Sequence, residues 1–417
     1  MGTLCRLAVA LQTLPFSEFE RGGRSHDAVS SHKPCPVLVS TDNSVVIPFF
    51  MRTPSLIHGL VMVCSACALG SAHTERVAAP AQSIPFMAFS PSVVTRWDER
   101  FLYVESDGLP HSAHTERDAY VFSHPMMVGI TAWQQQVPIP QRYTGTNAWQ
   151  IPLNPEWSET PISAKEHLFR GAIALAVNGV PIFNPIKNDG KTDTFLAGEL
   201  DMHGGHCGRG DDYHYHIAPL HLQATVGAGK PIAYALDGYA IYGLFDPKAK
   251  AGMAKACPLG GHEQLDSLNG HFGAPPAGAP KESKGEYHYH ASTKYPYLNG
   301  GMRGKVTVQE DGIQPQPRDQ PIRESLPPLR GAIITGFKST VTDGEPTFSV
   351  ELTIGGRKAS VIYRRVGSGA EAKYEFVFVA PDGSRRTETY AASRNKNGGQ
   401  RGNRTADQRP PMSSSPK

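Results

Sequence analysis

Two tetrapeptides carry most of the chemistry visible in this chain: Tyr213-His214-Tyr215-His216 and Tyr287-His288-Tyr289-His290. Alternation of this kind is the signature of a β-strand, in which successive side chains face opposite sides. His214 and His216 therefore share one face, with Tyr213 and Tyr215 on the other, and the second motif divides in the same way. Side chains two apart on a strand lie roughly 6.6 Å apart, close enough for two imidazoles to reach one ion. Nitrogen donors of this type suit transition metals, copper or zinc above all, rather than calcium or magnesium. If the two motifs face each other, His214, His216, His288 and His290 converge on one site.

Each motif has a loop upstream that adds a histidine between glycines. Leu200-Asp201 precedes Gly205-His206, and Leu265-Asp266 precedes Gly270-His271 at the same spacing. His206 and His271 thus extend the candidate ligand set. Asp201 and Asp266 suit either of two jobs. They can accept a second ring N–H and so orient an imidazole, or they can brace the loop through nearby backbone N–H groups. The tyrosines Tyr213, Tyr215, Tyr287 and Tyr289 pack while their hydroxyls seek backbone or carboxylate partners. The alternative without metal is a hydrogen-bonded His/Tyr core. His203, His221 and His262 read as surface or loop histidines.

The elements that must position these residues recur along the chain. Ile173 to Phe183 matches Ile232 to Tyr242, 59 residues later, and each reads as strand, turn and strand around Asn178-Gly179 or Asp237-Gly238. Asp237 is read as a turn residue because Asn178 serves equally well. Hairpin, Gly-His loop and Tyr-His-Tyr-His strand follow in the same order twice, over about 171–221 and about 230–300. The fold expected is mainly β, a duplicated module with pseudo-twofold symmetry that fills much of 73–312. Val93–Val104 and Ala119–Val128 are expected as strands ahead of it. Trp133, Trp149 and Trp157 read as packing residues rather than a sugar platform.

Residues 313–330, rich in Pro, Gln and Arg, read as a linker. Beyond it, 331–390 should form a small antiparallel β domain, since Phe348, Val350, Leu352 and Ile354 alternate onto one face before a Gly355-Gly356 turn. The tail 391–417 is polar and basic and is expected to be disordered.

Near the start, Arg52, the apolar run Leu56–Leu69 and the small residues Gly70-Ser71-Ala72 have the grammar of an export signal over 51–72. Residues 1–50 then form a leader without periodicity, with Met51 as the expected true start. Export implies a secreted or periplasmic chain with no stable membrane span once the signal is removed. Of six cysteines, only Cys207 and Cys257 follow the signal, so an oxidising compartment would permit one disulfide between them; Cys207 as a metal thiolate is the alternative.

A net charge of +3 over 417 residues argues against nucleic acid as a partner. The chain has no Gly-x-Ser-x-Gly elbow, phosphate loop, dinucleotide fingerprint or His-Glu-x-x-His helix. Three classes of function therefore stand: a metal-binding module, a metal-dependent oxidase or hydrolase using the same histidines, and a structural or surface interaction module without metal.

The chain resembles the YHYH-domain family of exported proteins. The resemblance rests on both Tyr-His-Tyr-His motifs, the Gln135-Gln136-Val137-Pro138 segment, the Asp237–Gly243 hairpin, the Leu265-Asp266 loop with Gly270-His271, and Tyr295-Pro296-Tyr297 with Gly304. It spans roughly 130–310 and implies export and a shared fold, but no reaction or substrate.

Overall fold

The computed structural model describes residues 78–392, apart from 116–119, 133–135, 228, 245–263, 275–283, 320, 325, 327–328, 343–344 and 369–370. The segments expected as leader and export signal, Cys257, His262 and nearly all of the tail lie outside the described residues.

As expected, the chain is mainly β. Strands β1 (Val94–Trp97), β2 (Phe101–Glu105) and β3 (Trp149–Pro152) form an antiparallel sheet. Strand β4 (Trp157–Ser163) waits for a partner far along the chain. Eight short strands then build the central sheet: β5 (Ala172–Ala176), β6 (Pro181–Phe183), β7 (Gly205–Cys207), β8 (Tyr213–Tyr215), β9 (Ala233–Ala235), β10 (Ala240–Leu244), β11 (Gly270–Phe272) and β12 (Tyr287–Ala291). Strand β13 (Gly301–Gly304) returns to pair with β4, and β14 (Thr307–Gln309) and β15 (Gly312–Gln314) make a hairpin. Strands β16 (Ala332–Thr342), β17 (Glu345–Ile354), β18 (Arg357–Val366), β19 (Lys373–Val379) and β20 (Arg385–Ala391) form an up-and-down antiparallel sheet.

The central sheet has the order β11-β12-β10-β9-β5-β6-β8-β7. Its middle is the antiparallel pair β5–β9, where Leu175 faces Tyr234. All five residues of β5 are buried, so Ala-Ile-Ala-Leu-Ala is a strand covered on both faces, which removes any polar alternation. Outward from this pair, β5 leads antiparallel to β6, parallel to β8 and antiparallel to β7. On the other side, β9 leads antiparallel to β10, parallel to β12 and antiparallel to β11. Ile182 faces Tyr215 on one side and Ile241 faces Tyr289 on the other.

The segment 119–128, expected as a strand, contributes only the isolated bridge of Phe122 to His111. Tyr120 (φ 45°) and Met127 (φ 63°) take left-handed backbone, which a regular strand excludes.

On the last sheet, Phe348, Val350 and Leu352 are buried on one face. That face meets earlier parts of the chain: Phe348 lies edge-on to Tyr120, Phe337 meets Phe122, and the Tyr363 hydroxyl donates to the Pro138 carbonyl at 2.5 Å. The segment 313–330 begins within β15 and buries Arg323, which forms a two-pronged pair with buried Asp211 (2.6 and 2.9 Å) and covers the Phe376 ring. A bidentate guanidinium on a carboxylate is the geometry that tolerates such burial best.

Candidate metal centres

The hairpin β7–β8 sets His206 directly opposite His214, and His216 follows one pleat further on the same face. The three Nε2 atoms converge: His214 to His216 at 3.1 Å, and His216 to His206 at 3.0 Å. The remaining ring nitrogens are held from behind. His216 Nδ1 donates to the Asn184 carbonyl (2.6 Å), and His214 Nδ1 donates to the Asp212 carbonyl and carboxylate (both 3.1 Å). The Glu199 backbone holds the His206 ring. Phe183 stacks on His214 with ring centroids 4.1 Å apart, closing that flank.

The other end of the sheet repeats the arrangement. In β11–β12 His271 sits opposite His288, and His271 Nε2 is 3.2 Å from His290 Nε2. His288 Nδ1 donates to the Glu286 carbonyl (3.1 Å) and His290 Nδ1 to the Gly243 carbonyl (2.9 Å). Tyr242 packs edge-on against His288.

The backbone carbonyls decide the chemistry. A carbonyl only accepts, so each Nδ1 facing one must carry the proton, and the Nε2 of that neutral ring is left as a bare lone pair. Within each triad at least two such lone pairs point at a common centre. Two lone pairs at this range repel unless a cation lies between them. Metal–nitrogen bonds of about 2.05 Å at a tetrahedral angle place donors about 3.3 Å apart, close to the spacings present. Burial pushes the rings away from protonation. His206 and His216 are held well below the usual histidine value, His271 is lowered, His288 is pushed down to about 4 and His290 to about 3, desolvation being the largest cause in each. All are therefore in the ligating, neutral form at neutral pH. Each triad is able to hold a metal ion.

The two triads are separate, which corrects the expectation of one shared site. Four strands, β10, β9, β5 and β6, lie between β12 and β8. Five strand spacings of about 4.8 Å put the motifs roughly 24 Å apart across the sheet. Each Tyr-His-Tyr-His strand finds its third histidine on its own Gly-His strand rather than on the other motif.

The tyrosines occupy the opposite face. Tyr213 donates to Asp201 and Tyr287 donates to Asp266, both at 2.8 Å. Asp201 also accepts from the backbone N–H of His203 and Gly205, and Asp266 from Leu268 and Gly270. These carboxylates brace the loop and the tyrosine and touch no imidazole of the triads. Gly205 and Gly270 are fixed by the same contact, because a Cβ on either would collide with the Tyr213 or Tyr287 phenol. Tyr215 receives a bond from Asn178 (3.1 Å), and Tyr289 donates to Asp237 (2.6 Å). Asp237 thus does more than turn a hairpin: its buried carboxyl, raised by desolvation, also accepts from Gly304 N (2.9 Å).

A further histidine group, His124, His203 and His221, escaped the sequence reading. His124 comes from far upstream and stands in no motif with the other two, so spacing gives no signal. His124 and His203 stack face to face, with centroids 3.9 Å and planes 25° apart. Imidazole lone pairs lie in the ring plane, so two stacked rings do not aim at one nearby ion. His124 is pushed down to about 2 and His221 to about 4, burial being the largest cause. Cys207 alternates with His206, so its side chain points to the other face, where it is a fully buried free thiol. Its expected partner, Cys257, lies outside the described residues.

No curated protein and no solved structure matches the chain. A family model described as YHYH protein matches residues 148–259. The match takes in β3 to β10 and the triad of His206, His214 and His216, and stops short of the second motif. By that match and by the strand that bears Tyr213-His214-Tyr215-His216, residues 148–259 are a YHYH domain.

Proposed function

We propose that this is an exported protein whose two histidine triads each bind one transition-metal ion, copper or zinc. One observation carries the reading: carbonyl acceptors fix the Nδ1–H tautomer of His214, His216, His288 and His290, and the Nε2 lone pairs of His214, His216 and His290 lie 3.0–3.2 Å from a neighbouring Nε2. Three imidazoles with a backbone or carboxylate partner behind the rings is the donor set that such ions take. The matching order of strands on either side of the β5–β9 pair supports reading the two halves as copies of one module.

Burial favours binding over turnover. The six histidines are at most 5% exposed. None of them lines the cavity at Ser92, His111 and Arg365 or the one at Phe122 and Phe337. A catalytic metal needs an open coordination position that substrate can reach. Export rests on the signal grammar of 51–72; among the described residues no helix is long and apolar enough to cross a membrane.

The test is elemental analysis of the untagged protein recovered through its export route. Two ions per chain are expected, falling to one in His214→Ala/His216→Ala and one in His288→Ala/His290→Ala. A metal-free wild type that also takes up no added copper or zinc would overturn the proposal. Sequencing of the mature N-terminus, expected near His73, checks export.

A further inference from the structure

We infer that the chain has a second kind of ligand site, a cavity for a small hydroxylated organic anion between the N-terminal and C-terminal sheets, independent of the histidine triads. The cavity encloses about 330 Å³ and is lined from both sides: by Ser92, His111 and Arg142 from the first part of the chain, and by Arg365 of β18 and Tyr374 of β19. That volume fits a small molecule, and a seam between two sheets is where such sites form.

Its charge points to an anion. Two carboxylates also line the cavity, and each already accepts hydrogen bonds from the chain. Glu105 accepts from Arg96 (3.4 Å) and from Gly145 N (3.1 Å), while Asp107 accepts from His111 Nε2 (2.8 Å) and from Leu109 N (3.0 Å). Among the described residues, neither Arg142 nor Arg365 pairs with a carboxylate. Arg142 spends one N–H on the Ala392 carbonyl (2.7 Å), leaving the rest of its fork for a ligand. The Tyr374 phenol is raised by burial and further by Tyr120 and Asp107, while Arg365 and Arg142 oppose that rise, so its hydroxyl lies in the field of both guanidiniums as well as of Asp107.

The hydroxyl requirement comes from two buried residues. His111 is 3% exposed and Ser92 6%. His111 Nδ1 and Ser92 Oγ are buried with no hydrogen-bond partner. In a neutral ring that gives its Nε2–H to Asp107, Nδ1 is an acceptor, and it would take a bond from a ligand O–H. Buried polar groups left in this way against a cavity wall suit a polar ligand.

The test is calorimetric titration of the full chain with glycerate, with inorganic phosphate, and with glycerol as the uncharged match. Glycerate or phosphate should bind 1:1 and glycerol should not. A phosphate-only result identifies a phosphate head as the recognised group, and a glycerate-only result a carboxylate. Arg365→Gln and Arg142→Gln, both at exposed positions, should each weaken the anion at least tenfold and leave metal content unchanged. Ser92→Ala should weaken glycerate and spare phosphate. The inference falls if neither anion saturates, if glycerol binds as well, or if the arginine variants bind like the wild type. Anion binding that disappears in a His214→Ala/His288→Ala chain would be binding at a metal and would also overturn it; metal binding itself is untouched by any of these results.

Discussion

The placement of single protons governs the histidine triads. His214 has a carboxylate behind it: Asp212 Oδ2 lies 3.1 Å from its Nδ1, and both residues are buried. A carboxylate in that position orients the ring and makes its far nitrogen more basic. Asp212→Asn keeps an acceptor but removes the charge. It should weaken metal at the first triad by about 10- to 100-fold and leave the second unmoved, as read by competition with a chromophoric chelator. On the other face, the buried pair of Tyr289 and Asp237 at 2.6 Å predicts a different effect. Tyr289→Phe removes a donor from a buried carboxyl and should cost about 1–3 kcal/mol, measured by denaturant unfolding.

At the scale of elements, hairpins place the third histidine. His206 and His271 reach their triads only because a glycine precedes each, letting the strand lie against a tyrosine phenol. Gly270→Ala should therefore displace β11 from β12, lower stability, and release the second ion while the first stays bound, a difference that metal analysis reports. The sequence made much of this legible. Period-two alternation put the histidines on one face, and turn dipeptides located the β5–β6 and β9–β10 hairpins. It did not show which strands become neighbours. Each YHYH strand joins its sheet in parallel, beyond its own hairpin, and such a pairing is made by a crossover rather than by any local signal. That is why four histidines were expected at one site while the sheet builds two clusters of three. His124 was invisible for the same reason, since only tertiary packing brings it to His203.

At the scale of the whole molecule, the buried histidines tie stability to pH. Their folded values lie below the unfolded value of about 6.5: His288 and His221 at about 4, His290 at about 3, with His206 and His216 also lowered. Between the two values the unfolded chain binds more protons than the folded one, so stability falls as pH falls. The metal-free protein should hold a steady melting temperature above pH 7 and lose it steeply between about pH 6.5 and 4, followed by thermal melts across that range. Bound metal should raise the melting temperature at neutral pH, and a chelator should reverse the gain.

The seam between the two halves has a consequence of its own. An antiparallel pair such as β5–β9, with Leu175 across from Tyr234, is related to itself by a half-turn about an axis through the sheet. A chain with only one of the halves would end in a bare β5 or β9 edge, all buried in the intact protein. Two such chains would meet along that edge as an isologous dimer, each bringing one ion. On the proposal that the two halves are copies of one module, the chain would correspond to such a dimer joined into a single polypeptide. Covalent linkage keeps β5 and β9 together at any dilution, where two separate chains would come apart.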